Sequence, residues 1–249
     1  MLIDTHCHIY KQYYENIDEI IKKAKVNGVG KIINNACNLE TSQEVLNLAT
    51  EYDALYASIG IHPQNVDDQN EGFLDYLEKN ILSKEVVAIG EIGLDYYWTK
   101  DNKNKQIYFF EEQLKLAEKY NLPVIIHSRE ATSDVLRILK KYRVCGIIHA
   151  FCGSYEVARE FIEMGFLLGI GGVITFKNSK LCEVVSKLSL SNIVLETDSP
   201  FLTPEPCRGQ KNEPAYVKNI AEYLSNLFHI PLSEVEKITN QNIKQLFDI

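Results

Sequence analysis

Two histidines separated by one residue, His6 and His8, close the first apolar run of the chain, Met1-Leu-Ile-Asp-Thr-His-Cys-His-Ile9. Side chains alternate across a strand, so residues two apart share a face, roughly 7 Å apart along it. Two imidazoles placed so can share one metal ion, and imidazole suits zinc and other first-row metals. Alone, His-x-His is most simply a pair of polar residues at a strand end. Five further runs, however, close on metal-capable side chains: Ser58-Ile-Gly-Ile-His62-Pro63, Ala88-Ile-Gly-Glu91-Ile-Gly-Leu-Asp95, Val124-Ile-Ile-His127-Ser-Arg129, Gly146-Ile-Ile-His149-Ala-Phe151 and Val194-Leu-Glu196-Thr-Asp198-Ser-Pro200. Of the six histidines, only His229, near the end of a late helix, falls elsewhere.

Imidazole mixed with carboxylate, and no cysteine required, points away from structural zinc, which usually takes cysteine-rich closed tetrahedra. It points to an open catalytic site. His6, His8, Glu91, His127, His149 and Asp198 are too many ligands for one ion that keeps open positions. Two divalent ions about 3.5–4 Å apart suit them better, and such pairs serve phosphoryl transfer and hydrolysis. Magnesium, manganese and zinc are all admitted by this set. Asp4, two residues before His6, is expected either to orient an imidazole from behind or to be a buried hydrogen-bonded carboxylate. Glu196 stands in the same relation to Asp198, and the first of these roles is expected of it. Cys7 points to the opposite face of its strand and is read as packing.

Elements must bring these residues together. Strand-like apolar runs occur at Leu2–Ile9, Lys31–Cys37, Leu55–Ile61, Val86–Leu94, Pro123–Ser128, Cys145–Phe151, Phe166–Gly171 and Asn192–Thr197. Segments of helical period lie between them at Glu15–Val26, Ser42–Glu51, Phe73–Asn80, Lys103–Tyr120, Ala131–Lys141, Tyr155–Met164 and Ser179–Leu188. Ser154 is placed to cap the sixth helix and Gly165 to stop it. Runs such as Pro-Val-Ile-Ile-His are continuously apolar, as strands buried on both faces should be. Eight such alternations in 249 residues predict a TIM-like (β/α)8 barrel of class α/β, a single domain over 1–249. A doubly wound open sheet is the alternative. After Pro200 a proline-rich loop leads into extra C-terminal helices near Tyr216–Phe228 and Leu232–Phe247. In such barrels the chemistry sits at the C-terminal ends of the strands, where the residues above fall.

A net charge of −8 argues against a protein that holds nucleic acid by a broad basic surface, although a few local cations can still hold one phosphate. The six cysteines have no Cys-x-x-Cys spacing and read as free thiols of a reducing compartment. No apolar run approaches 18 residues, and the N-terminus lacks the pattern of a signal peptide. The expectation is a cytoplasmic protein with no membrane segment, monomeric by default.

The chain resembles the TatD-like metal-dependent DNases of the amidohydrolase-like superfamily along essentially its whole length. The resemblance rests on Asp4-Thr-His-Cys-His8, Gly60-Ile-His-Pro63, Gly90-Glu-Ile-Gly-Leu-Asp-Tyr96, Pro123-Val-Ile-Ile-His-Ser-Arg129, His149-Ala-Phe-Cys-Gly153, Glu196-Thr-Asp-Ser-Pro200 and Arg208-Gly-Gln-Lys-Asn-Glu-Pro214. One departure is Tyr10, where the family usually has Asp or Asn. The resemblance implies a metal-dependent deoxyribonuclease, with His6, His8, Glu91 and Asp198 around one ion and Glu91, His127 and His149 around the second. The division between ions, with Glu91 bridging, comes from the resemblance alone.

The expected reaction is hydrolysis of a DNA phosphodiester, exonucleolytic and on single strands or strand ends, by a metal-activated water. Asp198 is the expected general base and Glu91 the other catalytic carboxylate. His62 and Arg208 are assigned to the substrate phosphate, with Arg129 able to do the same. Tyr96, Tyr97 and Trp98 follow the fourth strand as an aromatic cluster at the rim, where Trp98 could stack a base. The competing expectation is a small-molecule amidohydrolase or esterase, acting on a cyclic amide, a lactone or an aminoacyl-tRNA ester. Glu91 disfavours it, because many amidohydrolases use a carboxylated lysine on that strand. A non-enzymatic relic barrel is disfavoured by the complete ligand set.

Overall fold

The computed structural model describes residues 1–69, 72–247 and 249. The elements run β1 (Leu2–Cys7), α1 (Ile17–Val26), β2 (Val29–Asn35), α2 (Leu39–Glu51), β3 (Leu55–Ile59), α3 (Phe73–Asn80), β4 (Val86–Asp95), α4 (Lys103–Tyr120), β5 (Val124–Arg129), α5 (Thr132–Leu139), β6 (Gly146–Ile148), α6 (Tyr155–Glu163), β7 (Phe166–Ile170), α7 (Leu181–Val185), β8 (Ile193–Leu195), α8 (Val217–Phe228) and α9 (Leu232–Leu246). The eight strands follow one another in a single sheet in chain order, and β1–β2, β3–β4, β4–β5, β5–β6 and β7–β8 pair in parallel. This is the TIM-like (β/α)8 arrangement expected from the alternation.

Local chemistry explains the boundaries. The Asn16 side chain caps α1 by accepting from Glu19 N, and Ser154 caps α6 by accepting from Val157 N. Asn38 and Thr41 form a reciprocal capping box, which starts α2 three residues earlier than its apolar pattern suggests. Gly165, at φ +88°, ends α6 where a Cβ would be disfavoured.

Two compact units divide the chain. One contains Met1–Asn34 and Ala150–Asp248. Its core includes Val217, Ile220, Ala221 and Leu224 of α8, with Val235 and Ile243 of α9. Asn242 of α9 donates to the carbonyls of Leu190 and Ile193, both at 2.7 Å, and so fixes the start of β8. The other unit contains Asn35–His149 together with Ile249. Here Phe73 and Phe109 stack with ring centroids 4.3 Å apart. Two buried glutamines of α4 reach the strand ends: Gln113 bonds Ile61 N and O at 2.7 and 3.2 Å, and Gln106 bonds Asp95 N and O, both at 2.9 Å. A single amide that both donates and accepts pins a backbone residue, here beside His62 and at Asp95. No helix among the described residues is long and apolar enough to cross a membrane.

Candidate metal centre

In the first unit the chain beyond β8 runs beside β1. Asp198 N donates to His6 O at 2.9 Å, and His8 N donates to Ser199 O at 2.7 Å. Asp198 itself adopts φ +55°, a left-handed conformation uncommon for a non-glycine residue and found at functional sites. The outcome is convergence. His6 Nε2 and His8 Nε2 lie 3.2 Å apart, and Asp198 Oδ1 is 3.7 and 3.5 Å from them. Atoms bonded at about 2.0–2.2 Å to one ion sit roughly 3–3.5 Å from each other, so this trio fits a divalent cation.

The atoms behind the trio hold it in place. His8 Nδ1 meets the Tyr10 hydroxyl at 3.0 Å, so Tyr10 supports a candidate ligand. Asp4, fully buried, accepts from Thr197 Oγ1 at 2.6 Å, Thr197 N at 2.9 Å and His6 N at 3.3 Å. Of its two expected roles, these contacts are those of the buried hydrogen-bonded carboxylate. Burial pushes its pKa up to about 8 against the opposing pull of the Thr197 bonds. Glu196 accepts from Ala150 N at 2.7 Å, and a Cβ on Gly169 would lie 2.1 Å from its Oε2, so only glycine lets the carboxylate in. Asn212, in the motif Arg208–Pro214, donates to Thr197 O at 2.8 Å and braces the segment that carries Asp198.

In the second unit Glu91 lies inside β4 and is 3% exposed. Its Oε1 is 2.8 Å from His127 Nδ1, 3.5 Å from His62 Nε2 and 3.7 Å from His149 Nε2. Backbone register sets this up: Gly93 pairs with His127, Glu91 N bonds Ala36 O, and His149 N bonds Ile126 O. Gly93, at φ +143°, is required there, because a Cβ would fall 2.0 Å from His127 O. His62, Glu91 and His127 offer donor atoms within 4.8 Å of one another. His62 differs from a usual ligand in its second nitrogen. Gln64 N–H donates to Nδ1 at 3.2 Å, so a neutral His62 carries its proton on Nε2, facing Glu91. That leaves Nε2 as a donor toward the Glu91 carboxylate, 3.5 Å away.

His127 is held from both sides, with Nε2 3.1 Å from Asp95 Oδ2. Burial disfavours its cationic form, yet the bonds to Asp95 and Glu91 outweigh that and raise its pKa. For Asp95, burial opposes ionisation, while the bonds from His127, Tyr97 N and Trp98 N hold its pKa below the usual value. Neither Asp95 nor Tyr10 was assigned a role from sequence. The signal for Asp95 was spacing alone: four residues after Glu91, it shares that face of β4.

The remaining assigned residues lie at the surface. Arg208 is exposed, with its guanidinium 3.9 Å from the Phe176 ring centroid. Arg129, also exposed, stacks 3.7 Å over Tyr97, while Trp98 is 65% exposed. Tyr96 departs from the expected rim cluster: it is buried, and its hydroxyl donates to Asp134 at 2.9 Å. Cys7 is buried and packs as expected.

Residues 3–248 match the family described as TatD related DNase. The chain is 44% identical to the uncharacterized metal-dependent hydrolase YabD of Bacillus subtilis (strain 168), spanning all of both chains. It is 33% identical to the uncharacterized metal-dependent hydrolase YcfH of Escherichia coli (strain K12), spanning all of this chain and 96% of that one. The crystal structure of the TatD homologue YjjV from Escherichia coli K12 matches with a TM-score of 0.93 at 35% identity, over 100% of this chain and 98% of that one. Fold and donor sets are those of a metal-dependent hydrolase. The chain belongs to the TatD family.

Proposed function

We propose that this chain is a divalent-metal-dependent deoxyribonuclease that removes nucleotides from DNA strand ends. The observation that carries the reading is the convergence of His6, His8 and Asp198 in one unit and of Glu91, His127 and His149 in the other, in a chain of the family described as TatD related DNase. That these two sets hold two divalent ions is part of the proposal. It rests on the family resemblance and on the rule that (β/α)8 enzymes place their chemistry at the C-terminal ends of the strands. Bound divalent ions would supply Lewis-acid charge and make water a competent nucleophile near neutral pH.

The chain's own groups divide the rest of the work. Asp198 accepts the proton of the attacking water, since its carboxylate is partly open to solvent while its neighbours are buried. His62 donates from Nε2 to a phosphate oxygen and so stabilises the growing negative charge. Arg208, steadied on Phe176, offers a fork of donors to a second phosphate. The scissile phosphorus–oxygen bond breaks as the water oxygen bonds to phosphorus, and the leaving sugar oxygen takes up a proton from solvent.

The test is degradation of 5′- and 3′-labelled single-stranded DNA in EDTA, Mg2+, Mn2+ or Zn2+, with Glu91→Ala as control. Metal-dependent shortening that disappears in Glu91→Ala supports the reading. No shortening with any metal transfers the site to a small-molecule amide or ester substrate.

A further inference from the structure

Beside the candidate metal residues of the second unit stands a group that the proposed chemistry does not use. Trp98 is 65% exposed and Tyr97 50% exposed, and their rings meet edge to face at 5.0 Å. Exposed aromatic surface is costly to leave in water, and here it is also built to keep its shape. Asp95 Oδ1 accepts from Tyr97 N at 2.9 Å and from Trp98 N at 3.4 Å. Tyr96 N donates to Arg129 O at 2.9 Å. Below, the Tyr96 hydroxyl and Lys103 Nζ both bond Asp134, and Lys103 lies 4.8 Å from the Tyr96 ring centroid. Arg129 covers one side of Tyr97 at 3.7 Å and approaches the Trp98 ring at 5.7 Å, leaving the indole as the open surface.

Resting on the nuclease reading above, we infer that Trp98, with Tyr97 and Arg129, is the subsite that stacks an unpaired nucleobase of the DNA strand and takes its neighbouring phosphate. Three observations favour this occupant over an apolar partner. A guanidinium lies within the patch, giving a flat aromatic face and a phosphate donor side by side, which is the combination that single-stranded nucleic acid fills. The patch is indexed to the candidate centre, because the carboxylate that holds both backbone N–H groups also holds His127 Nε2 at 3.1 Å. Finally, a chain of net charge −8 has little general attraction for a polyanion, so its grip on DNA must come from local contacts. Bases held by stacking are read without sequence preference, and the strand must be unpaired to present them.

Trp98 is the single tryptophan of the chain, so its fluorescence reports the subsite directly. The experiment has two arms. Decathymidylate, or an abasic decamer of the same backbone, is titrated into the full chain in EDTA while tryptophan emission is followed. KM and kcat for both oligomers are then measured with metal, for the native chain and for Trp98→Ala. The expected result is quenching by decathymidylate only. With it, Trp98→Ala should raise KM for decathymidylate by about fivefold or more, leaving kcat and the abasic substrate unchanged. Cleavage of both oligomers with KM unaltered by Trp98→Ala, or altered equally for both, overturns the subsite and leaves the nuclease standing. Base-dependent quenching without cleavage in any metal overturns the nuclease and leaves the subsite. Absence of both removes both.

Discussion

Asp95 holds His127 by its outer nitrogen: the Oδ2 to Nε2 distance is 3.1 Å, while His127 Nδ1 faces Glu91 at 2.8 Å. A carboxylate behind an imidazole fixes its tautomer and raises its basicity toward a metal. Asp95→Ala is therefore expected to weaken metal binding by about 10–100-fold, with Asp95→Asn in between. Chelator competition measures this, and activity should return at high metal concentration. Unchanged affinity in Asp95→Ala would mean that His127 does not depend on this bond.

His62 sits among metal-capable groups yet is a donor by its hydrogen bonding. His62→Ala should raise KM for DNA by about tenfold or more, the scale of a lost hydrogen bond to a charged group, with metal content unchanged. Elemental analysis of the variant decides the point. Loss of metal would make His62 a ligand and would require Gln64 N–H to leave Nδ1.

The Tyr10 hydroxyl meets His8 Nδ1 at 3.0 Å. Tyr10→Phe keeps the ring, which stacks on Tyr13 at 5.5 Å, and removes the hydroxyl that meets His8 Nδ1. Metal affinity should fall about tenfold, at the lower end of the range for such partners, while thermal stability moves by a few degrees at most. An equal affinity in Tyr10→Phe would show that another group orients His8.

The cluster around Asp134 of α5 makes stability depend on pH. Lys103 Nζ at 2.7 Å, Arg137 at 2.8 Å and the Tyr96 hydroxyl hold the Asp134 carboxyl far below the usual carboxylate range. A lowered folded-state pKa contributes stability above the unfolded value of about 3.9, and that contribution is lost as pH falls toward the folded value. After solvent screening it is on the order of 1 kcal/mol. Asp134→Asn should then lower Tm by about 2–4 °C near neutral pH, with the gap from the native chain closing at acid pH. A gap that stays constant through the acid range would locate the effect elsewhere.

Much of this was legible in the sequence because strands buried on both faces write continuous apolar runs, and six of the eight closed on a metal-capable residue. The eight strands and the six proposed ligands came from that pattern together. What it missed lies where hydrogen bonding rather than burial decides. Strand β6 ends at Ile148 and β8 at Leu195, shorter than their apolar runs, because Ala150 and Asp198 turn to φ +45° and +55° beside the functional residues. The staples Gln106 and Gln113 sit on a helix face where glutamine normally signals solvent, and only the fold brings them to Asp95 and Ile61. Tyr96 looked like a rim residue because it precedes Tyr97 and Trp98, yet its hydroxyl is spent on Asp134.

The number of metal ions bound per chain decides whether the two donor sets hold two ions. Elemental analysis would be made after equilibration with Zn2+ or Mn2+ and removal of free metal, on the native chain, on His6→Ala with His8→Ala, and on Glu91→Ala. Two ions are expected per native chain, and one in each of the two variants. A native chain that binds a single ion, or a Glu91→Ala protein that keeps both, would contradict this expectation.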